Sequence, residues 1–169
     1  MPIQVAVCGP SDAGAELSRQ AHEVGRLLAQ RSAVVICGGY SGVMGAVAAG
    51  ARSAGGMVIG VLSGADRSGA APGLSAVLPT GMGQARNNII VNAADAVIVI
   101  GSSWGSVSEL ALAKRRGGIP VVQLGGWRIY DADGRPVEGI GHADDPEDAV
   151  RQALGSPVHL PATGPNGLR

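Results

Sequence analysis

Short apolar runs recur along this chain, each ended by a turn rich in glycine, serine or proline and most of them followed by a stretch with helical spacing. Ile3 to Val7, Val34 to Cys37, Met57 to Leu62, Ala76 to Leu78, Ala96 to Ile100 and Ile119 to Leu124 are rich in β-branched residues and almost free of polar interruption. Such runs suit strands covered on both faces, as in a parallel sheet. Between them, Leu17, Ala21, Val24 and Leu28 place one apolar stripe on a helix from about Ala15 to Arg31. A small-residue helix, VMGAVAAGARSAG, closes at Gly55-Gly56; another helix opens near Arg86; a third runs from Ser106 to Arg116 and stops at Gly117-Gly118. The last spans Pro146 to Leu154, with Asp145 as cap, proline at its first position and acids in its first turn. Repeated strand-helix units predict a Rossmann-like, doubly wound parallel sheet of six or seven strands in a three-layer α/β/α arrangement.

Three segments break the alternation. Ser63 to Gly73 is a loop too small and too polar for core and reads as a mobile rim beside a site. WRIYDADGRPVEGI, from Trp127 to Ile140, alternates about Asp133-Gly134 and reads as a hairpin or excursion at the sheet edge, where Trp127 and Tyr130 either cover the edge or touch a ligand. Residues 161–169, PATGPNGLR, read as a disordered tail, leaving residues 1–160 as one domain.

The chemistry concentrates in two loops. Gly38-Gly39-Tyr40-Ser41-Gly42 follows the second strand and leads into a helix, so its glycines let a ligand's oxygens approach backbone N–H groups; as a motif it equally suits a tight turn with close packing. Gly101-Ser102-Ser103-Trp104-Gly105-Ser106 follows the Ala96 strand and supplies small residues, hydroxyls and N–H groups at a helix start, where the dipole favours an anion. Glu109 falls in the first turn of that helix if Ser106 is its N-cap, which also matches a capping box. Arg86 and Asn87 begin the preceding helix and reach the same sheet edge if the crossovers are right-handed. Anion loop, carboxylate and guanidinium then converge.

Composition narrows the partners. The 169 residues carry 13 basic and 13 acidic side chains, so no net charge draws the chain to nucleic acid or an anionic membrane, and any anion must be held locally. With no Phe, two Trp and two Tyr, the core must be built from Val, Ile, Leu and Ala. No basic segment precedes a long apolar run at the N-terminus and no run approaches a membrane span, which predicts a cytoplasmic protein. Cys8 and Cys37 each end a strand and read as small buried hydrophobes, while His22, His142 and His159 share no ligand spacing, so no metal and no cofactor is expected.

GGYSGVMGAVAAGA at Gly38 to Ala51, together with Arg86-Asn87, Ala94-Asp95 and GSSWGSVSE, resembles the lysine-decarboxylase-like family, which contains the Lonely Guy cytokinin-activating phosphoribohydrolases and the molybdenum-cofactor carrier proteins. TGMGQARN is most similar to the carrier branch. The resemblance covers residues 3 to 155 and implies a homodimer or larger homo-oligomer. It implies a catalytic pair, Arg86 and Glu109, and phosphate-loop positions at Gly39, Gly42, Gly105 and Ser106. Gly9, Gly38, Met44, Asn87, Ser102 and Ser103 complete the expected ligand-binding set. Where the family carries Pro-Gly-Gly this chain has Gly101-Ser102-Ser103, and Ser106 replaces the usual Thr. A pyridoxal-phosphate decarboxylase needs a Schiff-base lysine, and the single lysine, Lys114, sits in a Lys-Arg-Arg cluster at a helix end, which excludes that activity. The expected ligand is a nucleoside 5′-monophosphate or related phosphorylated molecule, with N-glycosidic phosphoribohydrolase activity one outcome. A non-catalytic carrier of a phosphorylated pterin, or a nucleotide sensor, is the alternative.

Overall fold

The computed structural model describes residues 1–155; the expected tail at 161–169 lies outside them, as do residues 156–160 of the expected domain. Seven strands form one sheet: β1 (Gln4–Cys8), β2 (Val34–Cys37), β3 (Val58–Leu62), β4 (Ala76–Pro79), β5 (Ala96–Ile100), β6 (Val121–Leu124) and β7 (Gly141–Ala143). Their order is 4-3-2-1-5-6-7 and every pairing is parallel. The helices are α1 (Ala15–Gln30), α2 (Val43–Ser53), α3 (Asn87–Asn92), α4 (Trp104–Arg116) and α5 (Pro146–Leu154), with a 3-10 turn, Gly83–Arg86, leading into α3. The expected doubly wound sheet is what the chain forms.

The alternation of each strand divides the core between two faces. Val5, Val7, Val35, Cys37, Ile98 and Ile100 pack with α1, α2 and α5, whereas Ala6, Cys8, Ile36, Val97 and Val99 pack with Ile90 and Val91 of α3 and Leu110 and Ala113 of α4. Because both faces are covered, these strands read as unbroken apolar runs. With no Phe available, the core closes by close approach instead of by large rings. A Cβ on Gly50 of α2 would lie 1.8 Å from the His22 carbonyl oxygen of α1, and one on Gly25 of α1 would lie 2.1 Å from the Val47 carbonyl oxygen.

Two features are defined at the β7 edge of the sheet. Of the hairpin or excursion expected from Trp127 to Ile140, the chain forms the excursion, closed by a single antiparallel bridge, Tyr130 to Pro136. The seventh strand, Gly141–Ala143, follows it and pairs with β6; three residues opened by a glycine carry too little pattern for periodicity to reveal.

Gly50→Ala tests the close approach. Helix propensity alone favours alanine by about 1 kcal/mol, yet the clash with α1 is backbone against backbone. The variant is expected to lose about 1 to 3 kcal/mol of stability, the usual cost of overpacking, read as a lower urea midpoint.

Candidate functional site

An all-parallel sheet brings the loops after β1, β2, β3 and β5 to one carboxyl edge, and the chain reverses its winding direction between β1 and β5, where such sheets open a crevice. The β1 and β2 loops interlock there. Val43 N–H donates to the Pro10 carbonyl at 3.0 Å and Ser41 Oγ to the Ser11 carbonyl at 3.1 Å. Gly42 makes this possible with φ +66°, where a Cβ would sit 2.4 Å from the Pro10 oxygen, and a Cβ on Gly9 would sit 2.6 Å from Val43. No side chain caps α2 at Gly42, so among the described residues the N–H groups of Met44 and Gly45 have no acceptor and the positive end of the helix is open.

The second loop differs from its expected form. Ser103, not Ser106, is the N-cap of α4: it is extended at φ −148°, its Oγ accepts from Ser106 N–H at 3.2 Å, and Ser106 Oγ accepts from Ser103 N–H at 2.8 Å. The capping box is therefore Ser103-Ser106. The helix begins three residues early because two serines cap reciprocally, as glycines in their place could not. Glu109 consequently lies in the second turn and takes no part in capping. Neither Ser102 nor Ser103 is left-handed, so the loop accommodates both without strain.

Gly105 has another role. It is not left-handed, and a Cβ there would meet nothing closer than Ser103 Oγ at 3.7 Å, so the fold itself does not require glycine. Its N–H has no acceptor among the described residues.

Arg86 arrives from the 3-10 turn and is buried, 8% exposed. Its Nη1 donates to the Val61 carbonyl at 2.7 Å, its guanidinium lies 5.9 Å from the centre of the Tyr40 ring, and its Nε has no hydrogen-bond partner. Gly38 makes room for it, since a Cβ would approach Arg86 Nη1 and Met44 Sδ to 2.5 Å. Glu109 is also buried, and burial raises its carboxyl to about 7, against the opposing pull of Arg86 and of the neighbouring Cys8 thiol. The two charges are neighbours without forming a salt bridge within 4.0 Å. Burial and the Glu109 charge together push the Cys8 thiol well above its ordinary range, and burial raises Cys37 to about 11. Both thiols are therefore protonated and unreactive near neutrality. Asn87 Nδ2 donates to Ser108 Oγ at 3.1 Å, while its buried Oδ1 has no partner.

These groups surround a cleft of about 210 Å³. Of the expected residues, Gly9, Met44, Arg86, Asn87, Ser103, Gly105, Ser106 and Glu109 line it. Gly38, Gly39 and Gly42 shape its walls without lining it; Gly39 is left-handed at φ +75° and packs on Leu62 and Gly60. Ser102 also stands outside the lining: its Oγ accepts from the Trp127 N–H at 2.8 Å. Sequence reasoning missed Ser11, Tyr40, Ser63 and Gln84. Tyr40 lay within the quoted glycine loop and was the one detectable signal, an aromatic among residues chosen for smallness. In the structure its hydroxyl ties the Ser63 loop to the site, 3.2 Å from Ser63 Oγ and accepting from Gly64 N–H at 3.1 Å.

The chain belongs to the SLOG cluster4 family, whose model matches residues 2–150. An uncharacterized protein of Archaeoglobus fulgidus is 34% identical over 162 residues, covering 92% of this chain and 97% of that one. Among solved structures, the molybdenum cofactor binding protein of the phototrophic bacterium Rippkaea orientalis is 29% identical with a TM-score of 0.78, over 89% of this chain and 94% of that one. The molybdenum cofactor carrier protein of Chlamydomonas reinhardtii is 28% identical with a TM-score of 0.76, over 91% and 99%. The lysine-decarboxylase-like resemblance is thus where the chain falls, with molybdenum-cofactor carrier proteins among the structures it is similar to.

The buried acid has a measurable consequence for stability. Its folded value, about 7, exceeds the ordinary 4.5, so between these values the folded state keeps a proton that the unfolded state has released. Stability therefore falls as pH rises from 4.5 to 7 and levels off above it. Glu109→Gln should remove this loss. The variant is expected to gain up to about 3 kcal/mol over wild type at pH 8, with the gain vanishing near pH 4, as measured by urea unfolding across the range.

Proposed function

We propose, with membership of the SLOG cluster4 family as the premise, that this protein binds a phosphorylated small molecule and holds it without turnover, as a carrier of a phosphorylated pterin of the molybdenum-cofactor type. The observation that carries the reading is the meeting, at one cleft, of the open N-terminus of α2, the N–H of Gly105 and the fixed cation of Arg86. A phosphate offers acceptor oxygens to all three. The similarity to two molybdenum-cofactor proteins over about nine-tenths of the chain supports the pterin.

Turnover is poorly served by the same cleft. N-glycosidic cleavage builds positive charge on the ribose, which an ionised carboxylate stabilises. Among the described residues Glu109 is the one carboxyl group lining the cleft, and its burial favours the neutral form. A second reading keeps cleavage of a nucleoside 5′-monophosphate, because a carboxyl poised near 7 suits proton transfer. The two readings separate by experiment. Calorimetry should detect binding of a pterin monophosphate or adenosine monophosphate, and chromatography should detect no free adenine after prolonged incubation. Release of adenine by wild type that Glu109→Gln abolishes would establish the second reading instead.

Two variants give the carrier reading sharper edges. Gly105→Ala should keep or raise stability, by up to about 1 kcal/mol from helix propensity, yet weaken phosphate binding because the new methyl group enters the cleft. Glu109→Gln should bind like wild type at pH 5.5 and about tenfold tighter at pH 8.5, since a carboxylate beside a phosphate repels it in a partly buried site. Comparing variant with wild type at each pH cancels the titration of the ligand's own phosphate.

A further inference from the structure

The chain has two tryptophans and two tyrosines, and none is in the core. Tyr40 lines the cleft, while Trp104, Trp127 and Tyr130 are exposed. Trp104 is 80% exposed, an unfavourable place for the largest apolar side chain unless something covers it. It is also the first residue of α4, between the cleft residues Ser103 and Gly105. Its ring meets that of Trp127 edge to face, with centroids 5.1 Å apart.

The structure holds this exposed pair in place with unusual care. Trp127 is clamped through its backbone: its N–H donates to Ser102 Oγ at 2.8 Å, and its carbonyl accepts from Gln123 Nε2 at 2.7 Å. Gln123 lies within β6, a strand paired on both sides, is 2% exposed, and its Oε1 has no partner. Gly126, left-handed at φ +82°, lets the segment close on the β5 loop, since a Cβ there would sit 2.3 Å from Ser102 Oγ. A buried polar side chain and a turn that requires glycine thus fix the backbone of a tryptophan that no core contact needs.

The cleft supplies the complementary observation. At about 210 Å³ it is smaller than the roughly 300 to 1,000 Å³ that usually encloses a whole ligand. A phosphate fits, and the remainder of the molecule must lie on the neighbouring surface. We infer that Trp104, held by Trp127, is a stacking platform for a planar bicyclic heterocycle, pterin or purine, of a ligand whose phosphate sits in the cleft. This rests on the cleft being a phosphate site and adds what selects the ligand's other end.

Since Trp104 and Trp127 are the chain's two tryptophans, intrinsic fluorescence reports this subsite directly. Three probes would be titrated at constant protein concentration: 6-hydroxymethylpterin monophosphate, adenosine monophosphate and, lacking a heterocycle, ribose 5-phosphate. Both heterocyclic probes should quench the emission and ribose 5-phosphate should not, although calorimetry should show all three binding. Trp104→Ala should weaken the heterocyclic probes about tenfold, the lower part of the range for stacking a base on an aromatic side chain, and shift ribose 5-phosphate less than about twofold. Trp104→Phe should restore most of the loss. Equal affinity of Trp104→Ala and wild type for the heterocyclic probes, with ribose 5-phosphate still bound, would overturn the platform alone. Failure of all three probes to bind wild type would overturn the phosphate site and the platform with it. In a separate dilution series, emission per molecule that changes with protein concentration in the absence of ligand, and no further with ligand, would assign the pair to self-association and overturn the inference. Whichever heterocycle binds more tightly identifies the ligand class.

Discussion

The site depends on how a guanidinium is buried. Removing a cation from water costs several kcal/mol unless its donors and charge are met, and Arg86 is met only in part. One backbone carbonyl, that of Val61, accepts from Nη1, and the Tyr40 ring lies beside the group. Gly38 must lack a side chain for the guanidinium to pass, Tyr40 must hold the Ser63 loop, and the 3-10 turn must deliver Arg86 below the ends of β2 and β3. No carboxylate within 4.0 Å completes the pair among the described residues. A bound anion would supply the compensation that the protein itself leaves out.

Glu109 fits the same electrostatic logic. A carboxylate ionised at this depth would neutralise Arg86 and repel an incoming phosphate, yet burial keeps it largely protonated below neutrality. The cleft then presents a net positive charge although the chain as a whole has none. The protonated Cys8 thiol beside it adds neither charge nor a nucleophile. Holding an anion and stabilising a ribosyl cation make opposite demands on this one carboxyl, and its burial favours the neutral form that suits the first.

The fold was legible because period and turn chemistry agreed. Six strands appeared as apolar runs, and five helices followed from spacing, caps and glycine stops. The seventh strand was not legible, being three residues that pair only because β6 is already in place. At the site, Arg86, Glu109 and the glycines were visible as residue types that strand-helix units bring to one edge. What could not be read was the choice between alternative hydrogen bonds. Ser106 has the right spacing to cap with Glu109, but Ser103 three residues earlier offers a reciprocal partner and wins. Ser102 looked like a phosphate ligand from its place in the loop, and only the return of Trp127 in space reveals its actual partner. Tyr40 and Ser63 belong to loops that meet through a hydroxyl, a contact that neither segment announces alone.

The division of labour within the sheet follows from composition. Without phenylalanine the core is filled by β-branched residues and alanine, and its helices pack at distances that admit only glycine at Gly25 and Gly50. Such packing is rigid, because small residues in direct backbone contact leave few alternative rotamers. The carboxyl edge carries the opposite features. The three buried side-chain atoms without partners among the described residues, Arg86 Nε, Asn87 Oδ1 and Gln123 Oε1, all belong to it or to the strand that supports it. Each such atom costs about 1 to 3 kcal/mol, a burden that only a well-packed scaffold tolerates. One unpaired donor, two unpaired acceptors, an under-compensated cation and exposed aromatic rings are concentrated at this edge, where a ligand's acceptor oxygens would relieve the donor and the cation. That concentration is what a binding site, as opposed to a packing defect, requires.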